Sequence, residues 1–99
     1  MNNKDEEVVV IDGERFYTVF QFAKLTKKSE QAIFTLIGNG NRIRKLRVRR
    51  LLGRPLIYAN ELTEFPFTLP GNSKAVYHYD ENGNQTDTYY LEEKDARDY

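Results

Sequence analysis

The spacing of apolar and polar positions along this chain changes several times, and each change marks an element. Val8, Val9, Val10 and Ile11 form an unbroken β-prone run, Asp12-Gly13 interrupts it, and Arg15-Phe16-Tyr17 follows. Asp-Gly between such runs predicts a tight hairpin, because the turn needs positive φ angles that glycine accepts at no steric cost. Thr18 then stands as a helix N-cap with Gln21 three residues later, the spacing of a capping box. Val19, Phe22 and Ala23 recur at i, i+3 and i+4, which sets them on one face of a short helix. Thr26-Lys27-Lys28 is a polar turn. Ser29 is a second N-cap, opening a helix to about Ile37. Ile33, Leu36 and Ile37 share its core stripe, while Gln31, Thr35 and Gly38 fall opposite. Gly38-Asn39-Gly40-Asn41 ends the helix with residues that tolerate left-handed backbone angles.

From Ile43 the period falls to two. Leu46 and Val48 alternate with Lys45, Arg47 and Arg49, which predicts a strand with one apolar and one cationic face. Leu52-Gly53 breaks it, and Leu56-Ile57-Tyr58 reads as the return strand. Pro55 has no amide to donate, so this strand is expected to pair on one side only. Asn60 is placed to cap one turn of helix over residues 61–65, stopped by Pro66. Beyond Phe67 the segment 69–73 reads as a linker. Val76-Tyr77-His78-Tyr79 and residues 86–91 then flank Asn82-Gly83, a second hairpin signal. A two-residue turn there sets Val76 opposite Tyr89, Tyr77 opposite Thr88 and Tyr79 opposite Thr86, with His78 beside Asp87 as an exposed cross-strand pair. A lone two-stranded hairpin is marginal in water, so it is expected to pack on the domain or on another copy. Residues 92–98 are charged and expected to fray.

These elements predict an α+β fold: a winged helix-turn-helix with a basic β-hairpin wing, then a C-terminal hairpin and acidic tail. Three parts are expected, an acidic arm over 1–14, the winged unit over 15–68 and the tyrosine-rich extension over 69–99. Ninety-nine residues suit one core but not two. No apolar run approaches the ~20 residues that cross a bilayer, and residues 8–11 are too short for a signal peptide. A cytoplasmic location without membrane contact is the default expectation. The chain has no cysteine, which excludes disulfides, thiolate zinc sites and cysteine nucleophiles. Its single histidine, His78, excludes a multi-histidine metal site. Asp80, Asn82 and Asn84 have the spacing that opens a calcium loop, but Gly83 is misplaced and no Glu closes it. No metal, cofactor or catalytic group is expected.

The net charge of zero conceals segregation. Residues 1–14 carry −4, residues 15–58 carry +10 and residues 59–99 carry −6. A cationic middle between acidic ends suits a module that binds a polyanion. From residue 42 to residue 54, seven of thirteen positions are cationic: Arg42, Arg44, Lys45, Arg47, Arg49, Arg50 and Arg54. None is acidic. Arginine suits bidentate phosphate contact and insertion into a narrow minor groove. If about five of these reach phosphates, affinity should fall with salt at a log–log slope near −4 to −5. Gln31 and Thr35 lie four residues apart on the free face of the second helix, where Gln can bond adenine bidentately. Lys27, Lys28, Ser29 and the amides that open the helix can hold a phosphate. Leu51 and Leu52 fall at the wing tip, free to pack on the domain, wedge into a minor groove or touch a neighbouring subunit.

At this point the chain resembles a known family. Tyr17-Thr18-Val19, Ala23, Leu25, Ser29, Gln31, Ile33, Leu36-Ile37, Gly40, Gly53-Arg54, Ile57 and Glu61-Leu62 are similar to the excisionase/MerR-type winged helix-turn-helix, over residues 16–67. The resemblance implies that the Ser29 helix enters a major groove and that residues 47–54 form a wing along backbone or minor groove. Two positions depart from it: Glu30, where relatives are often basic, and Leu36, often tryptophan. The long coiled coil and effector domain of full MerR regulators are missing, which implies a minimal binder of phage or plasmid type. The expected function is sequence-specific binding of double-stranded DNA, as a repressor-type regulator or a recombination directionality factor, with a homodimer or cooperative oligomer on DNA. The main alternative is a protein-interaction module that uses the acidic tyrosine hairpin. A nuclease is disfavoured because the basic segment lacks carboxylates or histidine. RNA binding is disfavoured because it lacks exposed aromatics.

Overall fold

The computed structural model describes residues 8–91. The first part of the expected acidic arm and the charged tail, residues 1–7 and 92–99, lie outside the described residues. Within them the chain is an α+β fold with three helices and two antiparallel sheets.

Strand β1 (Val9–Ile11) turns through Asp12 and Gly13, at φ 53° and 82°, into β2 (Glu14–Thr18). Helix α1 (Val19–Thr26) starts where the Thr18 hydroxyl accepts the Gln21 amide at 3.1 Å. It ends at Lys27, whose positive φ of 59° lets the Lys28 amide close back on the Ala23 carbonyl at 2.9 Å. Helix α2 (Glu30–Gly38) is capped by the Ser29 hydroxyl, which accepts the Ala32 amide at 3.0 Å. Strands β3 (Val48–Leu51) and β4 (Arg54–Tyr58) form the basic hairpin, and one turn of helix follows, α3 (Glu61–Glu64). A second hairpin comprises β5 (Phe67–Leu69) and β6 (Asn72–Tyr77), and β7 (Tyr89–Tyr90) completes its sheet. The strand orders are β1-β2-β4-β3 and β5-β6-β7.

Several expectations need correction. The strand expected from Ile43 begins only at Val48. Asn41 captures the preceding chain, its Oδ1 accepting the amides of Ile43 and Arg44 at 2.9 and 3.1 Å, so residues 41–44 turn instead of extending. Strand β4 is paired on both sides, Leu56, Ile57 and Tyr58 with β2 and residues 54–57 with β3. Pro55 is tolerated because β2 ends opposite Leu56, so only β3 flanks the proline. Asn60 makes no side-chain cap; its φ and ψ of −71° and −10° are already helical. The expected linker over 69–73 is a turn between paired strands, with Gly71 at φ 79° after Pro70, the arrangement a type II turn favours.

The second expected hairpin is also altered. Val76 does face Tyr89, but Tyr79 bridges Gln85, not Thr86. Asp80 sets this shift: its carboxylate accepts the Asn82 and Asn84 amides, both at 2.9 Å, and lengthens the turn beyond two residues. Those backbone donors, Asn84's first, hold the Asp80 carboxyl below its ordinary value. His78 stacks on Tyr89, with Nε2 3.0 Å from its hydroxyl, and Asp87 is not its partner.

One core joins both sheets. Phe22, Ile33, Ile37, Leu46, Ile57, Leu62 and Phe65 pack with Phe67, Tyr77 and Tyr79 from the second sheet. Phe67 lies at the centre, its ring 4.8–6.3 Å from those of Phe22, Phe65, Tyr77 and Tyr79. Burial, with Tyr77 alongside, pushes the Tyr79 phenol well above its ordinary value, so it remains a donor, to the Thr26 carbonyl at 2.9 Å. No helix among the described residues is long and apolar enough to cross a membrane.

Candidate functional site

The loop entering the basic hairpin is held by a buried carboxylate that pattern alone did not single out. Glu61, fully buried in the first turn of α3, accepts both terminal nitrogens of Arg44 at 2.7 and 2.8 Å and the Arg47 amide at 2.7 Å. The Arg47 guanidinium lies 3.6 Å from Glu61 and 3.8 Å from Glu64. Burial alone would raise the Glu61 carboxyl. The Arg44 hydrogen bonds, the Arg47 amide and both positive charges outweigh it and hold Glu61 below its ordinary value. The same hydrogen bond raises Arg44, whose guanidinium also covers the Phe65 ring at 5.0 Å. Arg44 is therefore a structural strut, and the view that the whole cluster faces a ligand does not hold for it.

The other expected residues divide into tethered and open groups. Lys28 is half-buried, donating to the Tyr77 hydroxyl at 2.7 Å and lying 5.2–5.8 Å from the rings of Phe67, Tyr77 and Tyr79. That cation braces the second sheet against α1. Arg49 stands 3.8 Å from the exposed Asp12 carboxylate. Lys27, Arg42, Lys45, Arg50 and Arg54 are exposed. Ser29, Gln31 and Thr35 are exposed as well, with the Thr35 hydroxyl donating to the Gln31 carbonyl at 3.1 Å. Glu30 occupies the first turn of α2, so an anion at that helix start meets a like charge.

Helix α2 and the tip of the basic hairpin border one open groove of about 840 Å³. Glu30 and Phe34 form its helix wall; Leu51, Leu52, Arg54 and Pro55 form the hairpin wall; Val9 closes one side. Phe34 went unnoticed in the periodicity, although an apolar side chain off the Ile33–Ile37 stripe was its visible signal; 49% of it is exposed. Leu51 is 44% and Leu52 95% exposed. The pairing of Glu61 with Arg44 carried no local signal, because the two lie 17 residues apart. Among the described residues no group of three or more acidic, histidine or cysteine side chains is placed to hold a metal ion. No family model, curated protein or solved structure matches this chain.

Proposed function

We propose that the chain is a winged helix-turn-helix protein that binds double-stranded DNA without chemistry, with α2 directed to a major groove and the β3–β4 hairpin as its wing. The supporting observation is the shared groove: Glu30 and Phe34 of α2 border the same opening as Leu51, Leu52, Arg54 and Pro55 of the hairpin tip. A duplex laid across both would meet Gln31, Phe34 and Thr35 at base edges, where Phe34 suits a thymine methyl. Arg42, Lys45, Arg50 and Arg54, with Arg49 and Lys27, would meet phosphates. The reading extends to a repressor-type regulator or a recombination accessory factor acting as a dimer or cooperative array. A single short helix reads few base pairs, so several copies are needed to specify a long site. The tyrosine hairpin offers a smaller candidate surface, since Tyr77 and Tyr79 are core residues and only Tyr89 and Tyr90 of its tyrosines are exposed.

The test is duplex binding by fluorescence anisotropy across a salt series. Arg50→Ala with Arg54→Ala leaves the Glu61 strut intact. It should weaken binding to every duplex and make the log–log salt slope about two units shallower. Gln31→Ala should instead change the ranking among sequences. An unchanged slope in the double variant overturns the wing assignment.

A further inference from the structure

Leu52 is the residue that the fold explains least. It occupies the first central position of the β3–β4 turn at φ +53°, followed by Gly53 at +82°. A turn with both central φ positive favours Asn, Asp or Gly at that first position, and a γ-branched apolar residue is strained there. Burial does not compensate for the strain, because 95% of the side chain is exposed. The other non-glycine residues at positive φ, Asp12 and Lys27, are polar and suit solvent. Asparagine would serve both the backbone and the solvent better than leucine at position 52. What leucine adds is an apolar point at the outermost place of the hairpin, between Arg49, Arg50 and Arg54.

We infer that Leu52 is a wedge that enters between base pairs from the minor groove, unstacking one step and kinking the duplex; this rests on the DNA-binding reading above. The arginines that flank the tip attract the phosphates on either side of a groove, and an unstacked step offers apolar base faces to one narrow side chain. A flexible pyrimidine–purine step is the easiest to open. The same charges oppose a tip-to-tip contact with a second copy. The hairpin carries no acid, so two tips brought together repel. An anionic lipid surface is disfavoured because membrane attachment scales with apolar area, and the tip presents one fully exposed apolar side chain. A wedge in the wing would make this protein one that bends its site as well as reading it.

The experiment uses the full chain and a 24-base-pair duplex whose central TA step carries 2-aminopurine, with dyes at its ends. The wild-type protein should raise 2-aminopurine fluorescence several-fold and shorten the end-to-end distance. Leu52→Asn keeps a residue that favours positive φ, so it should fold at least as well, as thermal unfolding will report. It should bind with the same salt slope, give no fluorescence rise and lose about tenfold in affinity for the intact duplex, with much less loss on a duplex mismatched at that step. Duplex binding without a rise for the wild type, or an equal rise for Leu52→Asn, overturns the wedge and leaves the DNA reading standing. Absence of any duplex binding overturns both. A Leu52-dependent change in sedimentation without DNA, or in association with phosphatidylserine vesicles, also overturns the wedge.

Discussion

Gly40 sits at φ +75° where the chain leaves α2, and a Cβ there would lie 2.7 Å from the Arg44 carbonyl oxygen and 2.8 Å from the Lys45 Cα. Neither obstacle is a flexible side-chain end. Gly40→Ala therefore combines a disfavoured backbone angle with a backbone clash and should destabilise the fold by about 2–3 kcal/mol. Chemical denaturation checks this; a loss below about 0.5 kcal/mol would show that the loop shifts freely. Gly38, with nothing within reach of an added Cβ and no positive φ, is the internal control. The two glycines look alike in the sequence. Only the path of the following residues, back across Gly40, separates them.

At the scale of elements, the Glu61 strut decides where the basic hairpin begins. It joins α3 to the loop before β3 through one carboxylate, so residues 44–47 are pinned before the strand starts. Removing the carboxylate's charge leaves the Arg44 guanidinium with a neutral partner in a largely buried setting. Glu61→Gln should cost about 2–3 kcal/mol, less than for a fully buried pair because Arg44 retains 31% exposure and can turn to water. The pH dependence has a definite sign. In the folded state the carboxyl lies below its ordinary value of 4.5, whereas in the unfolded chain it returns to it. The strut therefore contributes fully above about pH 4.5, and its contribution is lost as pH falls through the lower folded value. Stability measured against pH should drop more steeply below 4.5 for the wild type than for Glu61→Gln. Parallel curves would mean that another group carries the acid sensitivity.

At the scale of the molecule, one hydrophobic core holds both sheets. The sequence pattern places a boundary near residue 68, with a hairpin appended after it. In the fold, Tyr77 and Tyr79 fill the same core as Phe22 and Phe65, and Gly83 lies so close to α1 that a Cβ would come 2.9 Å from the Leu25 carbonyl. A chain ending at residue 68 would uncover Phe67 and lose the Lys28–Tyr77 and Tyr79–Thr26 bonds. Such a truncated chain should lose cooperative thermal unfolding followed by near-ultraviolet circular dichroism. A sharp transition in it would show that the first sheet and the helices fold without the second sheet. The second sheet thus packs at the turn between α1 and α2, and among the described residues Gln31, Thr35, Arg50 and Arg54 stay exposed.

The helices, their two hydroxyl caps, the Asp12-Gly13 and Leu52-Gly53 turns and the segregation of charge were all legible in the residues. Each depends on neighbours a few positions apart, where periodicity, capping and turn chemistry act directly. Tertiary structure alone decided which cations became struts, that β4 runs between two strands, and that the tyrosine hairpin belongs to the core. Those outcomes depend on partners far apart in the chain, such as Arg44 with Glu61, Lys28 with Tyr77 and Tyr79 with Thr26. A local pattern records that a residue is charged or aromatic. The fold settles whether another part of the chain comes to meet it.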